Sequence, residues 1–90
     1  MDEIELTQAI LDYITEFYKA EYTGYISVTR EDTKYVVKLG LPSYMYLTTI
    51  SGDFESDQDF LDYVYEELRT RNYMRVYFYK VVRTLNTREE

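Results

Sequence analysis

Residues 25–41, YISVTREDTKYVVKLGL, are the stretch that decides the fold. Residues 25–29 and 34–41 read as two β-strands, in which Ile26 and Val28, and Val37 and Leu39, occupy alternate positions. The residues between them, Arg30–Thr33, are all polar and favour a turn. The stretch therefore predicts an antiparallel β-hairpin with one apolar face.

Upstream of the hairpin, residues 3–20 have the spacing of an amphipathic helix. The apolar positions recur at intervals of four, four and three residues: Leu6, Ile10, Ile14 and Phe17. Charged residues occupy the positions between them, so one stripe of the helix is expected to face a core. Gly24 interrupts the pattern and separates this helix from the hairpin.

Downstream of the hairpin, Pro42 has no amide donor and is unfavourable inside a central strand, so the second strand is predicted to end near Leu41. A third strand is expected from Tyr44 to about Ser51, with Gly52 closing it. Ser56 then begins a second helix as its N-cap, followed by acidic residues that favour a helix N-terminus. The apolar side of this helix comprises Phe60, Leu61, Val64 and Leu68.

Asn72 is a plausible stop for the second helix, and period-two alternation resumes from Tyr73 to about Thr84. The element order is then αβββαβ. We expect a single α+β domain over residues 1–84, with a four-stranded, largely antiparallel sheet and two helices on one face, and a flexible tail at residues 85–90.

This architecture predicts which strand side chains are buried. Those expected to face the helices are Ile26, Val28, Val37, Leu39, Met45, Leu47, Val76 and Phe78. Those expected on the open face are Tyr25, Lys34, Lys38, Tyr44, Tyr46, Arg75, Tyr77 and Tyr79. The register of the third strand stays open, because Tyr44, Tyr46 and Ile50 compete with Met45 and Leu47 for the buried side, and a slip of one residue exchanges the faces.

Composition excludes several kinds of chemistry. The chain has 90 residues, a net charge of −7, twelve tyrosines, and neither histidine nor cysteine. Disulfides, thiolate catalysis, imidazole acid-base catalysis and the usual zinc sites are therefore excluded. The acids from Asp53 to Asp59 lack the glycine and the final glutamate of a calcium-binding loop. We expect no enzymatic activity, no cofactor and no metal.

The start of the chain, MDEIELTQAI, lacks the basic region of a secretory signal, and the longest apolar runs, such as Tyr44–Leu47, contain four residues. About 20 are needed to span a membrane as a helix, so the sequence predicts a soluble intracellular protein without membrane contact.

Charge is unevenly distributed along the chain. Residues 1–29 contain six acids and one base, and residues 53–67 contain seven acids and no base, whereas residues 69–88 contain six bases and no acid. Tyr and Arg are enriched where protein interfaces concentrate their binding energy. We therefore expect a protein partner, or self-association, through a Tyr- and Arg-rich sheet face. The candidate partner-binding residues are Tyr44, Tyr46, Arg75, Tyr77, Tyr79 and Arg83. The alternative is that these tyrosines only cover a solvated sheet, where aromatic pairs stabilise neighbouring strands.

The order αβββα resembles the double-stranded RNA-binding domain, but the second helix begins Ser56-Asp57-Gln58-Asp59 instead of with lysines that meet phosphate. Direct nucleic-acid binding is therefore not expected. The reverse hypothesis is that the acidic helices imitate a phosphate backbone and inhibit a nucleic-acid enzyme, although a solvated acidic face is the commoner explanation of such a pattern.

Residues 61–90, LDYVYEELRTRNYMRVYFYKVVRTLNTREE, resemble small virion-associated proteins of tailed bacteriophages, in particular the crAss-like group. The resemblance covers about a third of the chain and includes no catalytic or binding motif. It implies a class of small structural proteins that decorate or connect a capsid or tail, located in the host cytoplasm or in the assembled virion.

Overall fold

The structure is a computed structural model that describes residues 1–40, 46–70 and 82–84, with the backbone alone at Ala20, Tyr46, Leu47 and 82–84. The predicted α+β class is confirmed. In chain order the elements are α1 (Glu3–Tyr18), β1 (Ala20–Tyr22), β2 (Tyr25–Glu31), β3 (Lys34–Gly40), β4 (Tyr46–Asp53), α2 (Asp57–Thr70) and β5 (Val82–Thr84).

Helix α1 begins and ends on local signals. The Asp2 side chain accepts a hydrogen bond from the Glu5 amide, and the Glu5 side chain accepts one from the Asp2 amide, which is a reciprocal capping box. Lys19 has left-handed backbone angles of φ 54° and ψ 46° and stops the helix at Tyr18. The predicted end at residue 20 is therefore two residues too late, because lysine gives no sequence signal for this conformation.

Strands β2 and β3 form the predicted hairpin, with Val28 opposite Val37. The turn is tighter than predicted and contains only Asp32 and Thr33, since the segment 30–31 continues β2. Asp32 has a φ of 58°, a left-handed conformation that aspartate tolerates better than most residues.

Strand β4 pairs antiparallel with β3, and Ile50 lies opposite Val37. Because Ile50 is buried, the described part of β4 follows the alternative register in which Ile50 faces the core. The pairing shifts between Leu39 and Gly40, a bulge that alternation alone does not reveal. Gly52 lies inside β4 and does not close it as predicted.

Both helices pack on one face of the three-stranded sheet β2–β3–β4, as predicted. The shared core comprises Leu6, Ile10, Ile14, Val28, Tyr35, Val37, Leu39, Ile50, Phe60, Leu61, Val64 and Leu68. Ile26 is half-buried against it. Phe17 is an exception to the predicted stripe, because it is 37% exposed and stacks on Tyr13 at the surface.

Strand β5 pairs antiparallel with β1, forming a separate two-stranded sheet in the described part of the chain. Strand β1 was not predicted, because three residues are too few to show a period. Most of the predicted fourth strand (73–81), the side chains of Met45, Leu47, Val76 and Phe78, and the tail (85–90) lie outside what the structure describes.

Candidate functional site

The predicted partner-binding side chains lie outside the described part of the structure: Tyr44, Tyr46, Arg75, Tyr77, Tyr79 and Arg83. Two of these positions have a described backbone. Tyr46 begins β4 opposite Gly40, and Arg83 lies in β5 opposite Glu21. The described backbone therefore places these two positions in different sheets, and the predicted grouping of all six side chains stays a prediction.

The described part of the open sheet face is mostly polar. Alternation places Tyr25, Lys34 and Lys38 on this face, as predicted, and the Lys34 ammonium group lies 3.6 Å from the Asp53 carboxylate. The other positions carry two acids, both opposite Lys34, and small side chains: Glu31 and Asp53, and Ser27, Thr29, Val36, Thr49 and Ser51. This portion therefore bears hydroxyl groups, one tyrosine, and two lysines whose charge is balanced by two acids.

Most of the described tyrosines instead support the fold. Tyr35 is 4% exposed and stacks on Phe60 with ring centroids 4.6 Å apart. The Tyr22 hydroxyl lies within hydrogen-bonding distance of the Tyr25 and Gly40 carbonyl oxygens and accepts from the Gly40 amide at 3.0 Å. Burial raises the pKa of Tyr22 to about 12, against the smaller opposing effect of the Gly40 hydrogen bond. Some of the twelve tyrosines therefore stabilise the fold by packing and hydrogen bonding, so the high count does not by itself indicate a binding surface.

Asp57 joins both helices to the sheet, because its carboxylate is shared by three donors. It accepts from the Tyr35 hydroxyl at 2.7 Å, from the Arg30 guanidinium at 2.8 Å and from the amino group of Met1 at 2.9 Å. Arg30 also donates to the Met1 carbonyl oxygen at 2.6 Å. Asp57, the first residue of α2, is thereby fixed to β2, β3 and the segment that precedes α1.

The charges and hydrogen bonds of the Asp57 cluster favour a role in stabilising the fold. Hydrogen bonds from the Met1 amino group and the Tyr35 hydroxyl hold the pKa of Asp57 far below its ordinary value, with Arg30 adding to the shift. The same contacts raise the pKa of Tyr35 and of Arg30. A carboxylate that stays ionised so far below neutral pH is a poor proton carrier, so the arrangement favours cohesion over acid-base chemistry.

A row of aromatic rings lies where α1 meets α2. Tyr13 stacks on Tyr65 with centroids 4.4 Å apart and planes 16° apart, and on Phe17 with centroids 5.5 Å apart and planes 8° apart. The two helices run in the same direction, because Met1 contacts Asp57 at one end and Tyr18 contacts Leu68 at the other. A shallow groove of about 360 Å³ opens beside the rings; we call it the aromatic groove, and its lining is Ala9, Asp12, Tyr13, Glu16 and Tyr65.

Carboxylates surround the aromatic groove. Asp12 and Asp62 each accept one amide hydrogen bond at 2.8 Å, from Gln8 and Gln58 respectively. Burial raises the pKa of Tyr65, and the negative charges of Asp62 and Asp12 raise it further. The ion pairs found in the described residues do not include Asp12, Glu16 or Asp62. The groove therefore combines apolar ring surface with negative charge that no described cation neutralises.

Sequence reasoning missed both sites, although each leaves a signal. Arg30 follows Val28 by two residues and so lies on the helix-facing side of β2. A cation on that side of a strand is partly buried and needs an acidic partner. For the groove, the sequence repeats glutamine and aspartate four residues apart at 8 and 12 and again at 58 and 62. Tyr13 directly follows Asp12, and Tyr65 comes three residues after Asp62; these two rings meet because the helices run in parallel.

The chain matches no protein-family model, and no curated protein and no solved structure matches it. In the described ranges, neither helix is both long and apolar enough to cross a membrane.

Proposed function

We propose that this chain is a non-catalytic structural or assembly protein that binds a protein partner, of the class of small virion components of tailed bacteriophages. The observation that supports it most directly is the exposed acidic and aromatic helix layer, where Asp12, Glu16 and Asp62 have no cation among the described ion pairs. A surface with one sign of charge favours contact with a protein surface of the opposite sign. The protein would act in the host cytoplasm or in the assembled virion.

More specifically, we assign the partner-binding face to the Tyr- and Arg-rich segment 73–84. This segment would be the fourth strand of the sheet that the sequence predicts. Pairing of 82–84 with β1 supports a β conformation for the end of that segment. Tyrosine supplies large rigid contact area and arginine supplies directed hydrogen bonds, which are the usual anchors of protein interfaces.

Replacing Tyr77 and Tyr79 together by serine is expected to reduce self-association or partner binding by at least tenfold, because truncating an interface anchor typically costs about 1.4 kcal/mol or more. Light scattering after size-exclusion chromatography measures self-association, and co-purification with separately expressed virion proteins measures partner binding. Tyr63→Ser is the matched control, since Tyr63 is an exposed tyrosine on α2. A wild-type chain that is strictly monomeric and binds none of the virion proteins contradicts the proposal.

A second candidate function is inhibition of a nucleic-acid enzyme by mimicry of its substrate. It is favoured by the exposed acids on the two parallel helices: Glu3, Glu5, Asp12, Glu16, Asp59, Asp62 and Glu66. Such a layer could occupy a basic groove that normally binds phosphates.

The mimicry hypothesis predicts competition with DNA for a purified nuclease, strong at about 50 mM salt and weak at about 200 mM, because the contact is ionic. Inhibition measured as a function of DNA concentration distinguishes competition from other modes. A matched variant with Asp12, Glu16, Asp59 and Asp62 changed to their amides should lose the effect. Absence of competition at low salt across a panel of nucleases contradicts the mimicry hypothesis.

A further inference from the structure

We infer that the aromatic groove between α1 and α2 is a docking site for an arginine-bearing segment of a partner protein. This rests on the proposed function, in that it names one surface and the chemistry of the partner it would bind. The rings of Tyr65, Tyr13 and Phe17 form a continuous stack across the two helices. Two of these rings, Tyr13 and Tyr65, line the groove together with Ala9 and give it an apolar surface.

Charge complementarity indicates that the segment bound in the groove carries positive charge. Asp12 and Glu16 line the groove, and Asp62 on α2 is close enough to raise the pKa of Tyr65; all three side chains are exposed. Neither the groove lining nor the described ion pairs supply a cation to them. A segment that brings positive charge would gain these carboxylates as partners, whereas an acidic or purely apolar segment would not.

The combination of aromatic rings and neighbouring carboxylates favours arginine over lysine. A planar guanidinium can lie against a tyrosine face or edge and at the same time donate to carboxylates on both sides, because its five N–H groups are arranged in a rigid fork. The aliphatic part of the arginine side chain would cover the apolar surface, while its charged end meets Asp12 or Asp62 at the rim.

The probe for this inference is a blocked peptide of alternating glycine and arginine, titrated into the full chain and followed by amide chemical shifts in two-dimensional NMR. We expect the shifts to concentrate at residues 9–17 and 62–66. The lysine version of the peptide should bind about threefold more weakly, because it lacks the planar group, and the glutamate version should not bind.

Changing Asp12 and Asp62 together to asparagine should weaken the arginine peptide about tenfold, since each partly solvated charge contact contributes roughly 0.7 kcal/mol. The matched control is Glu31→Gln with Glu55→Gln, which removes the same charge from exposed positions away from the groove and should change affinity by less than about twofold. A Tyr65→Leu variant keeps the charge and removes the ring, and it should abolish the preference for arginine over lysine.

Equal weakening by the groove pair and the control pair would overturn the inference, because it would show binding to net charge alone. So would shifts centred outside the groove. A third contradicting result is tighter peptide binding after Arg71→Gln with Arg75→Gln, which would identify the chain's own basic segment as the occupant. The assembly proposal has its separate readout in the Tyr77 and Tyr79 variants, so either idea can fail while the other survives.

Discussion

Replacing Asp57 by alanine is expected to lower the free energy of unfolding by about 2–3 kcal/mol, because hydrogen bonds to a charged group typically contribute about 1.5–3 kcal/mol and their effects overlap within one cluster. The variant removes the common acceptor of the Tyr35 hydroxyl and the Arg30 guanidinium. Tyr35 is almost fully buried, so its hydroxyl loses its acceptor where water has little access. Urea unfolding followed by circular dichroism measures the loss.

The matched control is Asp59→Ala, which removes another exposed acid from the first turn of α2 and should cost no more than about 0.5 kcal/mol. Tyr35→Phe should cost about 1 kcal/mol as the loss of one hydrogen bond. The double variant should be less destabilised than the sum of the two single variants, since both remove the same bond. Additive losses would show that the Tyr35–Asp57 contact contributes nothing in solution.

The same cluster predicts the response to acid. The pKa of Asp57 in the folded chain is lowered, chiefly by the hydrogen bonds from Met1 and Tyr35, whereas an unfolded aspartate titrates near 3.9. A lowered pKa gives stability that is complete above the unfolded pKa and is lost as the pH falls towards the folded one. The stability difference between the wild type and Asp57→Asn should therefore be constant above about pH 5 and shrink below about pH 4. A difference that does not change down to pH 2 contradicts this assignment.

The sequence was sufficient for the elements whose period is long enough to read. The spacing of Leu6, Ile10 and Ile14 identified α1, and alternation identified the β2–β3 hairpin with Val28 and Val37 inside. It was insufficient where one residue or a distant contact decides. Lys19 ends α1 through its backbone conformation, and a three-residue strand follows it without any pattern.

The candidate sites, too, could be predicted only where a local pattern reveals them and not where contacts between distant residues decide. Composition directed attention to tyrosine and to charge, but it could not say which tyrosines are internal. Tyr35 is buried because Asp57, 22 residues away, satisfies its hydroxyl. Tyr13 and Tyr65 meet only because the helices run in parallel on the sheet. Both facts depend on the packing of distant elements, which periodicity along one element does not contain.

Replacing Gly24 by alanine is expected to destabilise the chain by about 2–4 kcal/mol, at the upper end of what overpacking costs. A Cβ atom at this position would lie 2.1 Å from the carbonyl oxygen of Gly40, which is backbone, and 2.9 Å from the Tyr22 hydroxyl oxygen. Glycines in the described residues do not have positive φ angles, so the cost arises from contact and not from backbone preference. The collision falls at the point where Tyr22 ties the β1–β2 bend to the end of β3.

Gly52→Ala is the matched control for Gly24→Ala, because its Cβ would meet only the Phe54 ring, at 3.0 Å, and a side chain can move where a backbone carbonyl cannot. We expect a change within about 1 kcal/mol, since alanine also reduces the entropy of the unfolded chain. Adding Tyr22→Phe to Gly24→Ala should cost less than Tyr22→Phe alone, because the alanine has already displaced the hydroxyl from Gly40. Thermal and urea unfolding of the four variants and the wild type distinguish these results. If Gly24→Ala is tolerated as well as Gly52→Ala, the hydrogen bonds between Tyr22 and Gly40 do not persist in solution. Those bonds then do not hold β1 against the three-stranded sheet.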